Sequence, residues 1–224
     1  MNVIIFGATG GLGQWTWKAA LEAGHQVTAF VRSPHKLADH PERDRLRVVV
    51  GDVMDGVAVG EAAAGCTVAI NCTSPAGGNS ALEMAASIVR HASEAGVSAF
   101  YMVGGIGALW APGTDQTILV QDWDPAEATA FGFPSNVPAH VIRRMTQGHL
   151  ASMAHLEQSG VAHTYVCPGA MLDEPASASR VVTLDELGGA AAMRVRMGDV
   201  AQVIVDDVGK GALLGHRVSV VSGG

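Results

Sequence analysis

The sequence predicts an α/β fold built on a doubly wound parallel sheet, and three observations predict it. An apolar strand at the N-terminus runs straight into glycines three residues apart, Gly7, Gly10 and Gly13. Strand-like and helix-like segments then alternate along the chain. The strands read as continuous apolar runs and do not alternate with polar residues, as expected of strands covered on both faces by right-handed crossover helices.

The first strand is Val3-Ile4-Ile5-Phe6, and the helix after it opens at Gly11-Leu12-Gly13. Gln26 to Val31 forms the second strand and Leu46 to Val50 the third, both rich in β-branched residues. Cys66 to Asn71 is the fourth. Ser80 to Ala95 carries Leu82, Ala85, Ala86, Ile88, Val89 and Ala92 at helical spacing, and Gly96 stops it before a fifth strand, Ala99 to Val103. From Gly104 to Pro138 the periodicity lapses, in a stretch holding Trp110, Trp123, Phe131 and Phe133. A loop this long in one compact domain, and this aromatic, reads as a substrate lid over about residues 106–138. A helix follows from about Val141 to Gln158, bearing Val141, Met145, Met153 and Leu156, then the strand Thr164-Tyr165-Val166 and the turn Cys167-Pro168-Gly169. Val181 to Thr183 and Met193 to Val195 are short strands, Asp199 is placed to cap a helix through Val205, and Arg217 to Val221 closes the chain.

An apolar strand, a glycine triplet and a helix start together make a Rossmann-like dinucleotide site. Glycine permits the tight turn, the close approach of backbone to phosphate, and the packing of helix on strand, while the first helical amides face the anion. Gly7, Thr9, Gly10, Gly11, Leu12 and Gly13 are therefore assigned to the pyrophosphate. At the end of the second strand, an acid would hold free ribose hydroxyls; Arg32-Ser33 stands there instead, with Lys36 a short turn on. Such donors suit a 2′-phosphate, so NADPH is expected over NADH. Asp52 and Val53 are placed to flank the adenine, though Asp52 could equally brace its loop. Asn71, Cys72 and Thr73 end the fourth strand beneath the path of the pyrophosphate and nicotinamide ribose.

Composition narrows the function. The 224 residues carry a formal charge of -7 without a lysine- or arginine-rich block, which argues against nucleic acid. No apolar run approaches a membrane span, and no leader-like segment precedes the first strand, so a cytoplasmic location is expected. Cys66, Cys72 and Cys167 lack metal-ligand spacing and read as buried reduced thiols. The glycine-x-serine-x-glycine elbow of hydrolases is missing.

Across nearly its whole length the chain resembles the atypical short-chain dehydrogenase/reductases, in the NAD(P)-binding family that includes biliverdin-IXβ/flavin reductase and NmrA-like proteins. The resemblance runs through Ile5-Phe6-Gly7-Ala8-Thr9-Gly10, Val31-Arg32, Val50-Gly51-Asp52-Val53, Ser159-Gly160-Val161 and Val181-Val182-Thr183-Leu184-Asp185. It implies an NADPH-dependent reductase, with Arg32 on the 2′-phosphate and His149 on the substrate side of the long helix. The sequence departs from those relatives in four ways. Gly104-Gly105 stands where they place a serine or threonine near the nicotinamide, Ala170 stands where flavin reductase relatives carry a second histidine beside the Pro168 turn, no tyrosine-x-x-x-lysine pair is present, and the lid segment is longer than in the flavin reductase relatives.

Reducing an ordinary ketone calls for a positioned acid, whereas a flavin, quinone or other conjugated acceptor spreads the incoming charge over its π system. The missing acid favours a planar conjugated substrate under the lid, bordered by Gly105, Trp110, Trp123, Phe131, Phe133 and Pro168, with His149 as proton donor or orienting group. Two alternatives stay open. One is a non-catalytic NADPH sensor of the NmrA type, and the other is a tailoring ketoreductase or isomerase acting on a polycyclic metabolite. The sequence does not fix an oligomeric state.

Overall fold

The computed structural model describes residues 1–75, 80–105, 138–182 and 194–223. β1 (Asn2–Phe6) leads into α1 (Gly11–Glu22), followed by β2 (Gln26–Val31), β3 (Leu46–Val50), α2 (Gly56–Ala63), β4 (Val68–Asn71), α3 (Ala81–Glu94) and β5 (Ala99–Val103). After residue 137 come α4 (Ala139–Ser159), β6 (Ala162–Val166), β7 (Ala170–Leu172), β8 (Ser179–Val182), β9 (Arg194–Arg196), α5 (Met197–Asp207) and β10 (Arg217–Ser222).

The main sheet has the order β3-β2-β1-β4-β5-β6-β10-β8. All its pairings are parallel except β10 with β8, which is antiparallel, so the sheet is mixed at that edge. β7 and β9 form a separate two-stranded parallel ribbon. β2 and β3 build outward on one side of β1 and the chain returns through β4 on the other, making the topological switch at whose carboxyl end open α/β sheets collect ligands.

The unbroken apolar strands follow from burial on both faces. In β1, Ile4 and Phe6 join the core under α2, α3 and α4, while Val3 and Ile5 join the core under α1 and α5. β5 and β6 divide likewise, so Tyr165 faces α4 whereas Tyr101 faces α5. β3 departs from the expected cover because it is an edge strand: Val50 is 58% exposed and Arg47 lies at the surface.

Caps fix two helix starts. Asp55 accepts from the amides of Val57 and Ala58 to open α2, an element the sequence reading passed over. Ser80 and Glu83 form a reciprocal capping box at the start of α3. Asp199 does not cap its helix. α5 begins one turn earlier, after Arg196, and the buried Asp199 carboxylate accepts from the amide and hydroxyl of Ser177 and the hydroxyl of Ser222, tying α5 to two other segments. On α4, Met153 and Leu156 are buried as expected, but Met145 is 43% exposed, and the inward face carries Thr146 and Ser152 as well.

Candidate functional site

The β1–α1 turn is packed too closely for any side chain at its key positions. Gly7 lies at φ +78°, and a Cβ there would stand 2.8 Å from the Cys72 carbonyl oxygen. A Cβ on Gly13 would strike the Gly7 carbonyl, and the Gly10 amide closes the turn by donating to that same oxygen at 2.9 Å. Leu12 turns into the core. α1 starts with Gly10 as its cap residue, among the described residues no side chain caps its first amides, and no acid lies in its first turn. α2 and α3, by contrast, both spend a side chain on that task. A glycine cradle leading to a helix start free of side-chain caps fits a bound pyrophosphate.

Around this turn lies a cleft of about 360 Å³ at the carboxyl ends of β1 to β4. Gly7, Thr9 and Gly10 line it at the end of β1, Arg32, Ser33 and Lys36 after β2, Asp52 and Val53 after β3, and Cys72 and Thr73 after β4. Lys36 is carried by a 3-10 turn over Pro34–Leu37 that seats Leu37 in the core and leaves Lys36 exposed. Among the described residues neither Arg32 nor Lys36 has an acidic partner. Asp52 braces its own loop, its Oδ1 accepting from the Met54 amide at 2.9 Å. Gly51 admits the Phe30 ring, which also lines the cleft.

The three thiols are free. Cys66 and Cys167 are buried, whereas Cys72 is half-buried with Sγ 3.5 Å from the Thr16 hydroxyl. Burial pushes the Cys72 thiol up to about 12, partly offset by that contact, so it is a packing group at neutral pH.

A small recess adjoins the cleft through Thr73 and Met84, and Asn71, His149, Ser152 and Tyr165 supply its polar lining. Asn71 and Thr73 satisfy each other, the Asn71 carbonyl oxygen accepting from the Thr73 amide at 3.0 Å and hydroxyl at 2.7 Å. His149, from the middle of α4, has Nδ1 3.2 Å from the Tyr165 phenol oxygen, and the phenol donates to the His149 backbone carbonyl at 3.0 Å. Burial holds the imidazole down to about 4, so His149 is neutral near pH 7. Burial likewise raises the Tyr165 phenol, which is not an anion at any ordinary pH.

The described site residues expected from sequence fall into two groups. Those assigned to phosphate, ribose and adenine come together in the cleft, apart from Asn71, which lines the adjoining recess, and Gly11, Leu12 and Gly13, which build the α1 start behind it. Gly104 is not on the cleft wall; a Cβ there would lie 2.3 Å from the Tyr165 ring, so a serine or threonine has no room. Gly105 sits beside the His149 ring and the buried Pro168 follows β6. Trp110, Trp123, Phe131, Phe133 and the rest of the expected lid through residue 137 lie outside the described residues. Tyr165 and Ser152 were missed. The available signal for Tyr165 was an aromatic between Thr164 and Val166 in a strand, which reads as core.

A dinucleotide cradle at the switch point of such a sheet agrees with the family comparison, in which the NAD(P)H-binding family matches residues 7–209. The chain belongs to the NAD(P)H-binding family. Solved structures share its fold end to end. A protein from Bacteroides thetaiotaomicron provisionally assigned as an epimerase superposes with a TM-score of 0.78 at 21% identity, covering 99% of this chain and 96% of that one. The anaerobilin reductase ChuY of Escherichia coli O157:H7 gives 0.74 at 20% identity, over 99% and 97% of the two chains. A protein from Streptococcus pneumoniae provisionally assigned as an NADH-flavin reductase gives 0.74 at 16% identity, with both chains covered completely. At these identities the likeness is one of fold. Among the described residues no helix is long and apolar enough to cross a membrane, and no cluster of histidine, cysteine and acidic side chains could hold a metal.

Proposed function

We propose that this member of the NAD(P)H-binding family is an NADPH-dependent reductase of a planar, conjugated small molecule. The observation that carries the cofactor choice is the end of β2, where Arg32, Ser33 and Lys36 line the cleft and no carboxylate occupies the position that would hold unphosphorylated ribose. Arg32 and Lys36 would hold the 2′-phosphate, and the amides of the β1–α1 turn would hold the pyrophosphate. The cofactor, when bound, supplies a hydride.

The recess supports the choice of acceptor. Tyr165 is turned to His149 and has no lysine four residues on, and His149 is neutral, so neither is equipped as the positioned general acid that ketone reduction requires. A flavin, quinone or similar acceptor needs orientation more than a buried acid, and water can supply its proton. His149 then serves to orient the substrate. The names of two relatives, an anaerobilin reductase and a provisional flavin reductase, are in keeping with such acceptors.

The test is NADPH oxidation by the purified protein against a panel of flavins, quinones and simple ketones, with His149→Ala alongside. Turnover of conjugated acceptors, slow or absent with ketones and lowered at least tenfold by His149→Ala, is expected. Tight NADPH binding without turnover of any acceptor would move the assignment to a dinucleotide sensor, and preferred turnover of ketones would reject the acceptor class.

A further inference from the structure

We propose that His40 is a positioning residue for the 2′-phosphate end of the cleft: its ring, seated on Trp17 of α1, fixes the turn that presents Lys36 and so helps to set the discrimination between NADPH and NADH. The inference rests on the reading of Arg32, Ser33 and Lys36 as the 2′-phosphate contacts, and adds the residue that holds one of them in place.

The connection from β2 to β3, residues 32–45, is described throughout and contains no α-helix. Two 3-10 turns, Pro34–Leu37 and Arg43–Arg45, are its regular structure, and of its residues only Leu37 is buried. Arg32 follows directly on Val31, whose carbonyl accepts from the Gly51 amide at 3.0 Å where β2 and β3 pair, so the sheet itself fixes its backbone. Lys36 lies further along, exposed, on a turn outside the sheet. An ammonium on a flexible stem adds to affinity only as far as the backbone beneath it is already in place, because ordering a loop at the moment of binding subtracts from the gain.

His40 is where that segment is made fast. Its amide donates to the Leu37 carbonyl at 3.1 Å, continuing the Lys36 turn, and its carbonyl accepts from the Arg43 amide at 2.9 Å, opening the second turn. The Glu42 amide, which can only donate, reaches His40 Nδ1 at 3.3 Å and ties the ring to that second turn. The ring then meets Trp17 edge to face, with centroids 4.5 Å apart and planes at 83°. Trp17 is wholly buried in the core that also takes in Leu21 and Leu37, so it is a fixed surface for the half-buried imidazole. Its Nε1–H finds no hydrogen-bond partner among the described residues, so ring packing is what Trp17 offers the connection.

The remaining ties land on the same helix. Leu37 enters the core around Trp17 and Leu21, and Arg45 Nη2 donates to the Leu21 carbonyl at 3.1 Å. α1 therefore serves both phosphate ends of the cleft: its start borders the glycine turn, and Trp17 and Leu21 further along hold the segment that carries Lys36. Unphosphorylated ribose gives Lys36 no phosphate to hold, so what His40 contributes is felt by NADPH and not by NADH.

The test is a double-mutant cycle read in the dissociation constants of the two dinucleotides. Wild type, His40→Ala, Lys36→Ala and the double variant are titrated with NADPH and with NADH, and His40→Phe, which keeps a ring to pack on Trp17, is titrated alongside. His40→Ala is expected to weaken NADPH about threefold or more and to leave NADH within about twofold, so that NADH binding also reports an intact fold. In the Lys36→Ala background the same substitution is expected to have no further effect on NADPH, and His40→Phe is expected to bind NADPH within about twofold of wild type. Equal losses for both dinucleotides would mark a merely structural role and overturn the inference. So would an effect on NADPH that persists without Lys36, or a His40→Phe variant no better than His40→Ala. A wild type without NADPH preference would remove the 2′-phosphate reading and the inference with it, whereas a preference that survives His40→Ala unchanged would leave that reading standing and overturn the inference alone.

Discussion

Arg32 is the residue on which the cofactor choice turns. It stands directly after β2, lines the cleft with Ser33 and Lys36, and meets no acid among the described residues. A hydrogen bond to a charged group contributes roughly 1.5–3 kcal/mol. Arg32→Ala is therefore expected to weaken NADPH about tenfold or more while leaving NADH within about twofold, measured by fluorescence titration. His149 makes a second residue-scale prediction. Unfolded, its imidazole takes up a proton near 6.5; folded, burial delays that to about 4. Between those values the unfolded state binds the extra proton, so the stability from keeping His149 neutral is full above 6.5 and is lost as the pH falls toward 4, by up to about 3 kcal/mol. Urea denaturation of His149→Asn should show a flatter loss of stability than wild type across that window. An identical slope would mean that the imidazole is not held neutral. Arg32 was legible in the sequence because its place after a β-branched run fixes its location. Tyr165 was not, because a buried aromatic on a strand looks the same whether its hydroxyl meets water, backbone or a histidine.

At the scale of elements, the helix starts divide the labour. α2 and α3 each use a side-chain cap, while α1, like α4 and α5, starts without one among the described residues. Asp55→Ala and Ser80→Ala should each cost about 1 kcal/mol in chemical denaturation without changing cofactor affinity. A comparable loss of NADPH affinity in either variant would contradict this division. α5 is fastened to the sheet differently. The Tyr101 phenol donates to the Asp207 carboxylate at 2.8 Å, and the same carboxylate accepts from the amides of Ala212 and Leu213. Burial, then the bond to Asp207, raises the Tyr101 phenol and keeps it neutral. Tyr101→Phe should destabilise the fold by about 1–3 kcal/mol, read as a lower urea midpoint with an unchanged slope. The apolar runs of β1, β2, β5 and the long helix α4 were plain in the sequence, since each is a period or a run. α2 was not, because Gly56-Val57-Ala58-Val59-Gly60 is poor in helix formers and its start depends on the Asp55 cap. Asp199 misled for a related reason: an acid before an apolar run suggests a cap, and its burial against Ser177 and Ser222 follows from tertiary packing that no local pattern reports.

At the scale of the whole molecule, the doubly wound sheet brings the ends of β1, β2, β3 and β4 to one cleft and those of β5 and β6 to the adjoining recess. The order of assembly explains why the cleft was readable in the sequence and the recess less so. Phosphate and ribose contacts come from short motifs at strand ends, each fixed by local chemistry. The recess is made by α4 crossing back over β5 and β6, which joins His149 to Tyr165 and Gly105 only after folding. The measurement that tests the central claim most directly is a calorimetric titration of the wild-type protein with NADPH and with NADH under identical conditions. NADPH binding at least about tenfold tighter is predicted. Equal affinities, or tighter NADH, would contradict the assignment of Arg32, Ser33 and Lys36 to a 2′-phosphate and with it the proposed NADPH-dependent reductase.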